Sequence, residues 1–254
     1  MTAVEARGTQ PATAEGLRAT LHRLSAAQKG AKGAPAYSRF VNRKLGRVLA
    51  AVAFHARLTP NAVTGISAAF TFTGIALVAL VPPSWTLGAA VTACLAVGYA
   101  FDAADGQLAR LRGGGSPAGE WLDHMVDAFK IASLHLAVLI GWYRFETVDR
   151  GPWLLVPLGF AVVAVVHFFA TLLNEALRAQ YGARTRAERT GERPSVARSL
   201  LVAPTDYGVL CLVFVLLGAP PAFLVGYGVL FVATGAYLAL ALVKWFTEMG
   251  RLTP

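Results

Sequence analysis

Cysteine, acidic side chains and charge of any kind are all scarce in this 254-residue chain. The two cysteines, Cys94 and Cys211, both fall inside hydrophobic runs. That excludes a disulfide framework, and both read as small buried apolar residues. Charged residues make up 15% of the chain against 56% hydrophobic ones. A soluble domain carries about a quarter charged, so an ordinary soluble enzyme is excluded. No apolar leader core follows Met1, and no cleavable signal peptide is expected. No internal repeat is visible, which disfavours a transporter built from inverted halves. Acidic residues number 14 against 23 basic ones, for a net charge of +9. The basic residues gather at the ends of hydrophobic segments. Their partners are therefore anionic lipid headgroups and phosphorylated substrates, and no nucleic acid.

Long apolar runs stand where charge is missing. They predict an all-α, multi-pass membrane protein with six spans at 59–81, 84–111, 118–143, 152–179, 202–218 and 220–246. The second and fourth exceed the bilayer thickness, so their cytoplasmic ends should protrude into water. Thr59 followed by Pro60 reads as an N-cap and first helical residue. Residues 36–58 predict an amphipathic interfacial helix: Tyr37, Val41, Leu45, Val48 and Val52 share one face, and Arg39, Arg43 and Arg47 line the other. Residues 1–35 read as a mobile tail, in which Leu17, Leu21 and Leu24 suggest one amphipathic turn. The membrane domain then spans 59–247, with a short cytoplasmic tail at 248–254. Arginines 178, 184, 186, 189, 193 and 198 crowd one loop, and Arg110 and Arg112 another on the same side. By the positive-inside rule both termini are cytoplasmic in a cell membrane. All five tryptophans lie near span ends, as an aromatic belt requires.

Four of the 14 acidic residues lie within 26 positions: Asp102, Asp105, Asp123 and Asp127. At 100° per residue Asp102, Asp105 and Ala109 share one helical stripe, and Asp123 and Asp127 share a stripe of the next helix. The run Gly113-Gly114-Gly115-Ser116-Pro117 breaks the helix and lets the two stripes face each other. Four unpaired carboxylates there would repel strongly. Some are protonated, or basic residues pair with them, or hard divalent cations sit between them. Oxygen-only ligands at this density suit Mg²⁺ or Mn²⁺, and two carboxylate pairs suit a two-metal site.

The pattern Asp102-x2-Asp105-Gly106-x2-Ala109-Arg110-x8-Gly119-x3-Asp123-x3-Asp127 resembles the signature of the CDP-alcohol phosphotransferases. The resemblance implies an integral membrane enzyme of phospholipid biosynthesis. It would transfer a substituted phosphate, phosphatidyl when the donor is CDP-diacylglycerol, from a CDP-alcohol to a polar alcohol, releasing CMP. By the same resemblance the four aspartates hold two metals, and Asp127 is also the base. Asp105, Gly106, Ala109, Arg110 and Gly119 meet the nucleotide and its phosphates. A homodimer is implied as well. Asn61 and Thr64 open the first span on the same face and are further nucleotide candidates. Lys130 either neutralises the cluster or contacts the acceptor, and Arg178 and Arg198 are candidates for an anionic acceptor. His124 sits off the aspartate stripe and reads as a bystander. Asp206 reads as a helix-start residue, and His135 and His167 as packing residues.

Members of that family differ in acceptor: glycerol 3-phosphate, inositol or its phosphate, serine, choline or ethanolamine. The bacterial inositol-phosphate enzymes carry an Arg-Ala-Arg-Ala-Glu-like run near the end of span four, where this chain has Leu173-Asn174-Glu175-Ala176-Leu177-Arg178. The segment Tyr37 to Arg43 resembles the makers of soluble inositol phosphodiesters, an alternative within the family. The alternative outside it is a divalent-cation transporter. That would need carboxylates along a path across the bilayer.

Overall fold

Five helices long and apolar enough to cross a bilayer follow one another in the computed structural model, which describes residues 16–26, 35–146, 151–183 and 196–252. The elements are α1 (Leu17–Ala26), α2 (Arg43–His55), α3 (Pro60–Leu80), α4 (Trp85–Leu111), α5 (Pro117–Arg144), α6 (Leu155–Gln180), α7 (Val196–Leu201), α8 (Tyr207–Val213) and α9 (Pro220–Met249). Among the described residues every regular element is helical. The protein is an all-α membrane protein.

Side-chain caps start three of the spans. Thr59, Ser84 and Ser116 each accept from the amide three residues on, at 3.1 Å in every case. Pro60 and Pro117 add a preset backbone angle at two of those starts. In lipid, association rests on close packing and on hydrogen bonds between helices. Ser67 on α3 donates to the Gly98 carbonyl on α4 at 2.8 Å. The main core unites α3 to α6, α8 and α9 around Val91, Leu95, Leu134, Val138, Phe214 and Tyr227. A second core lies at the other end of the molecule, where Leu24, Ala51, Val63 and Leu108 join α1 to α4.

Several expectations are revised. The segment 202–218 is not one long helix. Pro204 falls in a short turn at Ala203–Thr205, and Asp206 caps α8 by accepting from Gly208 N at 3.0 Å. α8 continues as a tighter 3₁₀ stretch over Phe214–Gly218. At 1.5 and 2.0 Å per residue the pair is about 20 Å long, a sixth apolar rod shorter than the bilayer core. Part of the expected N-terminal tail is helical, because α1 buries Thr20 and Leu24; residues 1–15 and 27–34 lie outside the described residues. α9 reaches Met249, so Glu248 is helical.

The belt of tryptophans also divides. Trp85, Trp121 and Trp153 are exposed to the surroundings, whereas Trp142 and Trp245 are buried. Trp142 packs edge-on to Phe223 and Tyr227, and Trp245 stacks on His167. The helix expected at the interface has three faces where two were expected. Val41, Leu45, Val48 and Val52 are exposed, while Asn42, Gly46, Ala50 and Ala53 dock on α4 and its neighbours. Tyr37 leaves the apolar face to pack beside Tyr99 and Gly208. A π-helical turn over Ser38–Asn42 ends that docking, with Ser38 N donating to Asp206 Oδ2 at 2.9 Å and Asn42 Nδ2 to the Tyr99 carbonyl at 3.1 Å.

Candidate active site

The helical break predicted after Arg112 forms because Gly113 and Gly114 take φ values of +97° and +132°, open to glycine at little cost. Ser116 then restarts the chain as α5, antiparallel to α4. The aspartate stripes of α4 and α5 consequently meet at one end of the helix pair.

The four carboxylates are held in different ways. Asp105 is 5% exposed and accepts from Thr64 Oγ1 at 2.7 Å, a bond between α3 and α4. One turn deeper, Asp102 Oδ1 lies 3.0 Å from Lys130 Nζ, and the same ammonium is 2.5 Å from Asp127 Oδ1. Lys130 is therefore a basic partner shared by two carboxylates across α4 and α5. Of the three remedies for repulsion, this pairing is the one that the side chains themselves supply. Its side chain is only 6% exposed, so its charge is compensated inside the protein. The Lys130 ammonium also stands 5.5 Å from the centre of the Tyr207 ring, which closes its far side.

Asp123 and Asp127 stand with His124 so that one ligand atom from each lies within 4.8 Å of the others. His124, read from the sequence as a bystander off the aspartate stripe, thus stands beside two of the aspartates. Its Nδ1 is buried without a hydrogen-bond partner, its ring meets Phe168 edge-on, and its Nε2 is 3.9 Å from Glu120 Oε1. A residue adjacent to Asp123 points about 100° away from it, yet a long imidazole at a half-open helix surface still reaches back. The signal available in the sequence was a histidine embedded among acids.

Above the carboxylates opens a cavity of about 570 Å³. Asn61, Thr64, Asp105, Gly106, Ala109, Arg110, Gly119 and Asp123 all line it, together with Thr59, Arg112, Ser116, Glu120 and His124. Every nucleotide candidate read from the sequence is thus on one wall or another. Asp102 and Asp127 are not part of the lining and sit beside Lys130 one turn deeper in their helices. The small residues have distinct surroundings. A Cβ at Gly106 would meet only Arg110 Nη1, at 3.4 Å, so that glycine faces open cavity. A Cβ at Gly119 would lie 3.0 Å from Asn61 Oδ1, so that glycine admits the Asn61 amide. Arg43 reaches toward the same end from α2, and burial lowers its guanidinium from the ordinary arginine value.

The acceptor candidates separate. Lys130 is within the cluster. Arg178 does not line the large cavity: its Nη2 lies 2.6 Å from Glu248 Oε2 of α9, beside a smaller cavity of about 70 Å³. The side chain of Arg198 lies outside the described residues. Asp206 caps α8 as expected. His135 is a packing residue, bonded through Nδ1 to the Tyr227 hydroxyl at 2.6 Å, and His167 stacks on Trp245.

Residues 57–246 match the family model described as CDP-alcohol phosphatidyltransferase. Among solved structures, the phosphatidylinositol phosphate synthase (PgsA1) of Mycobacterium tuberculosis in apo form is 26% identical, with a TM-score of 0.50 over 78% of this chain and 95% of that one. The same enzyme with CDP-DAG bound gives 25% identity and a TM-score of 0.48, over 82% of this chain and 94% of that one. In complex with manganese and citrate it gives 26% and 0.49, over 78% and 88%. No curated protein sequence matches the chain.

Proposed function

Because this chain belongs to the CDP-alcohol phosphatidyltransferase family, we propose that its acidic cluster transfers a phosphatidyl group from CDP-diacylglycerol to the hydroxyl of a polar alcohol and releases CMP. One observation carries this reading. Eleven residues from α3, α4 and α5, among them Asp105, Gly106, Ala109, Arg110, Gly119 and Asp123, line one cavity of about 570 Å³, above carboxylates held by Lys130. The transporter alternative loses its support, since the carboxylates converge at one end of two helices and do not line a path through them.

The chemistry assigns each group a task. The acceptor oxygen attacks the phosphorus nearer the diacylglycerol; a P–O bond forms, and the bond to the bridging oxygen breaks, so CMP leaves with that oxygen. Asp127, the base by family resemblance, takes the hydroxyl proton. Arg110 pairs with a phosphate of the donor, and Gly106 and Ala109 let the nucleotide approach the backbone. Asn61 and Thr64 bound the cavity from α3; Thr64 also keeps Asp105 oriented. Lys130 holds Asp102 and Asp127 in place.

The donors fit a hard divalent cation: Asp123 and Asp127 bring ligand atoms within 4.8 Å of each other and of His124, whose Nδ1 is buried without a hydrogen-bond partner. Asp102, Asp105, Asp123 and Asp127 would hold Mg²⁺ or Mn²⁺, with neutralisation of the diphosphate as the chemistry supplied. Lys130, buried against Asp102 and Asp127, is the cation that neutralises the cluster. Arg178, paired with Glu248, is withdrawn from the acceptor role, and Arg198 remains a candidate for it. The arginine-rich loops support a cavity that opens to the cytoplasm.

The test is CMP release by purified protein in detergent, with Mg²⁺ or Mn²⁺, CDP-diacylglycerol and a panel of polar alcohols, beside Asp127→Asn. Release that needs both metal and alcohol and vanishes in the variant is expected. Release from a soluble CDP-alcohol alone would replace the lipid donor. No nucleotide binding and no release would overturn the reading.

A further inference from the structure

The helix Leu17–Ala26 precedes the family-matched region, and no task assigned above uses it. Its contacts are specific. Leu24 is 1% exposed and sits in the second core against Leu108 and Leu111 of α4 and the alanines of α2. Thr20, fully buried, shares a hydrogen bond of 3.2 Å between its Oγ1 and His55 Nε2. Arg23 Nη2 donates to the Leu111 carbonyl at 3.4 Å.

Those contacts fall at two joints of the chain. His55 ends α2, and four residues later Thr59 caps α3 and lines the large cavity. Leu111 ends α4, and the next residues, Arg112 and then Gly114 to Ser116, line it again. The last carbonyls of a helix lack partners within it, and a cationic donor placed there opposes the negative end of the helix dipole. Nothing lies within 4 Å of a Cβ built on Gly113 or Gly114, and their amides donate back to the last turn of α4, to the Arg110 and Ala109 carbonyls at 3.2 and 3.0 Å. The geometry of that loop therefore depends on what holds its base. At the base stand Leu24 and Arg23.

We propose that α1 is a brace for the nucleotide cavity, in which Thr20 and Arg23 are positioning residues that tie the α2–α3 joint to the α4–α5 joint. They touch neither the donor nor the carboxylates. The brace rests on the proposed reading of the cavity as the CDP site, and its chemical consequence is a binding effect. Loosening the loop carrying Arg112 and Ser116 weakens capture of the CDP end. The step at Asp127 keeps its rate once the donor is bound.

Two measurements on the full chain in detergent test it. In the first, Arg23→Ala, Thr20→Val and Arg23→Lys are compared with the parent in KM and kcat for CDP-dioleoylglycerol. The alanine and valine variants are expected to raise KM about three- to tenfold, the scale of one hydrogen bond, with kcat within about twofold. Arg23→Lys, which keeps a cationic donor, recovers most of the loss. The second is amide hydrogen exchange without any ligand. Residues 112–116 are expected to exchange faster in Arg23→Ala, while α6 and α9 are unchanged. Exchange requires no turnover, so it judges the brace even if the donor is not CDP-dioleoylglycerol. Unaltered exchange at 112–116 overturns the proposal. So does a fall in kcat matched by a lower melting temperature at constant KM, which marks α1 as structural only.

Discussion

Lys130 Nζ lies 3.0 Å from Asp102 Oδ1, a charge pair that joins α5 to α4 beneath the large cavity. The same ammonium holds Asp127 of its own helix. One buried cation thus fixes the spacing of two carboxylates that would otherwise repel.

Removing that cation leaves two half-buried acids uncompensated. Lys130→Met, close in volume, is expected to destabilise the protein by about 3–5 kcal/mol, the scale for breaking a buried pair. Both apparent melting temperature and CMP release should drop sharply. Retention of full stability would show that the acids are held by other groups.

Thr64 tests the tie to Asp105. The 2.7 Å bond goes to a carboxylate, for which about 1.5–3 kcal/mol is at stake. Thr64→Val keeps the shape and removes the donor, so CMP release should fall about tenfold or more. Thr64→Ser should retain most of it.

Gly119 and Asn61 are coupled by space. Gly119→Ala places a Cβ 3.0 Å from Asn61 Oδ1, closer than nearly all such contacts, so the amide must move. A several-fold rise in KM for the donor is expected. The double variant with Asn61→Ala should lose less than the sum of the two single losses, because Asn61 Oδ1 is gone while Ser116 Oγ, 3.2 Å from the same Cβ, remains. Additive losses in a double-mutant cycle would disprove the coupling.

Metal dependence should report His124. Chelation is expected to abolish CMP release, and added Mg²⁺ or Mn²⁺ to restore it and raise the melting temperature. His124→Ala should raise the half-saturating Mn²⁺ concentration about tenfold, by analogy with groups that support metal ligands. An unchanged metal titration would return His124 to a bystander role.

How much of this was legible beforehand differs by residue. Asp102, Asp105, Asp123 and Asp127 were readable because helical periodicity and a glycine break are properties of neighbouring positions. Thr59, Ser116 and Asp206 were readable as caps or breaks for the same local reason. Lys130 was ambiguous, since position on α5 places it near Asp127 but says nothing about Asp102, 28 residues away. The partner of Arg178 was out of reach altogether, being Glu248, 70 residues on.

The sequence by itself determined what depends on composition and short spacing: a multi-pass helical membrane protein, its caps, and a carboxylate pair on each of two consecutive helices. Tertiary structure alone decided which long side chains complete that site. Lysine, histidine and arginine reach several ångströms from their backbones, so their partners follow from how α3, α4, α5 and α9 pack. It also decided that Trp142 and Trp245 turn inward and that α1 docks beside Leu111. Each of these is a contact between segments far apart in the chain, and no local pattern encodes it.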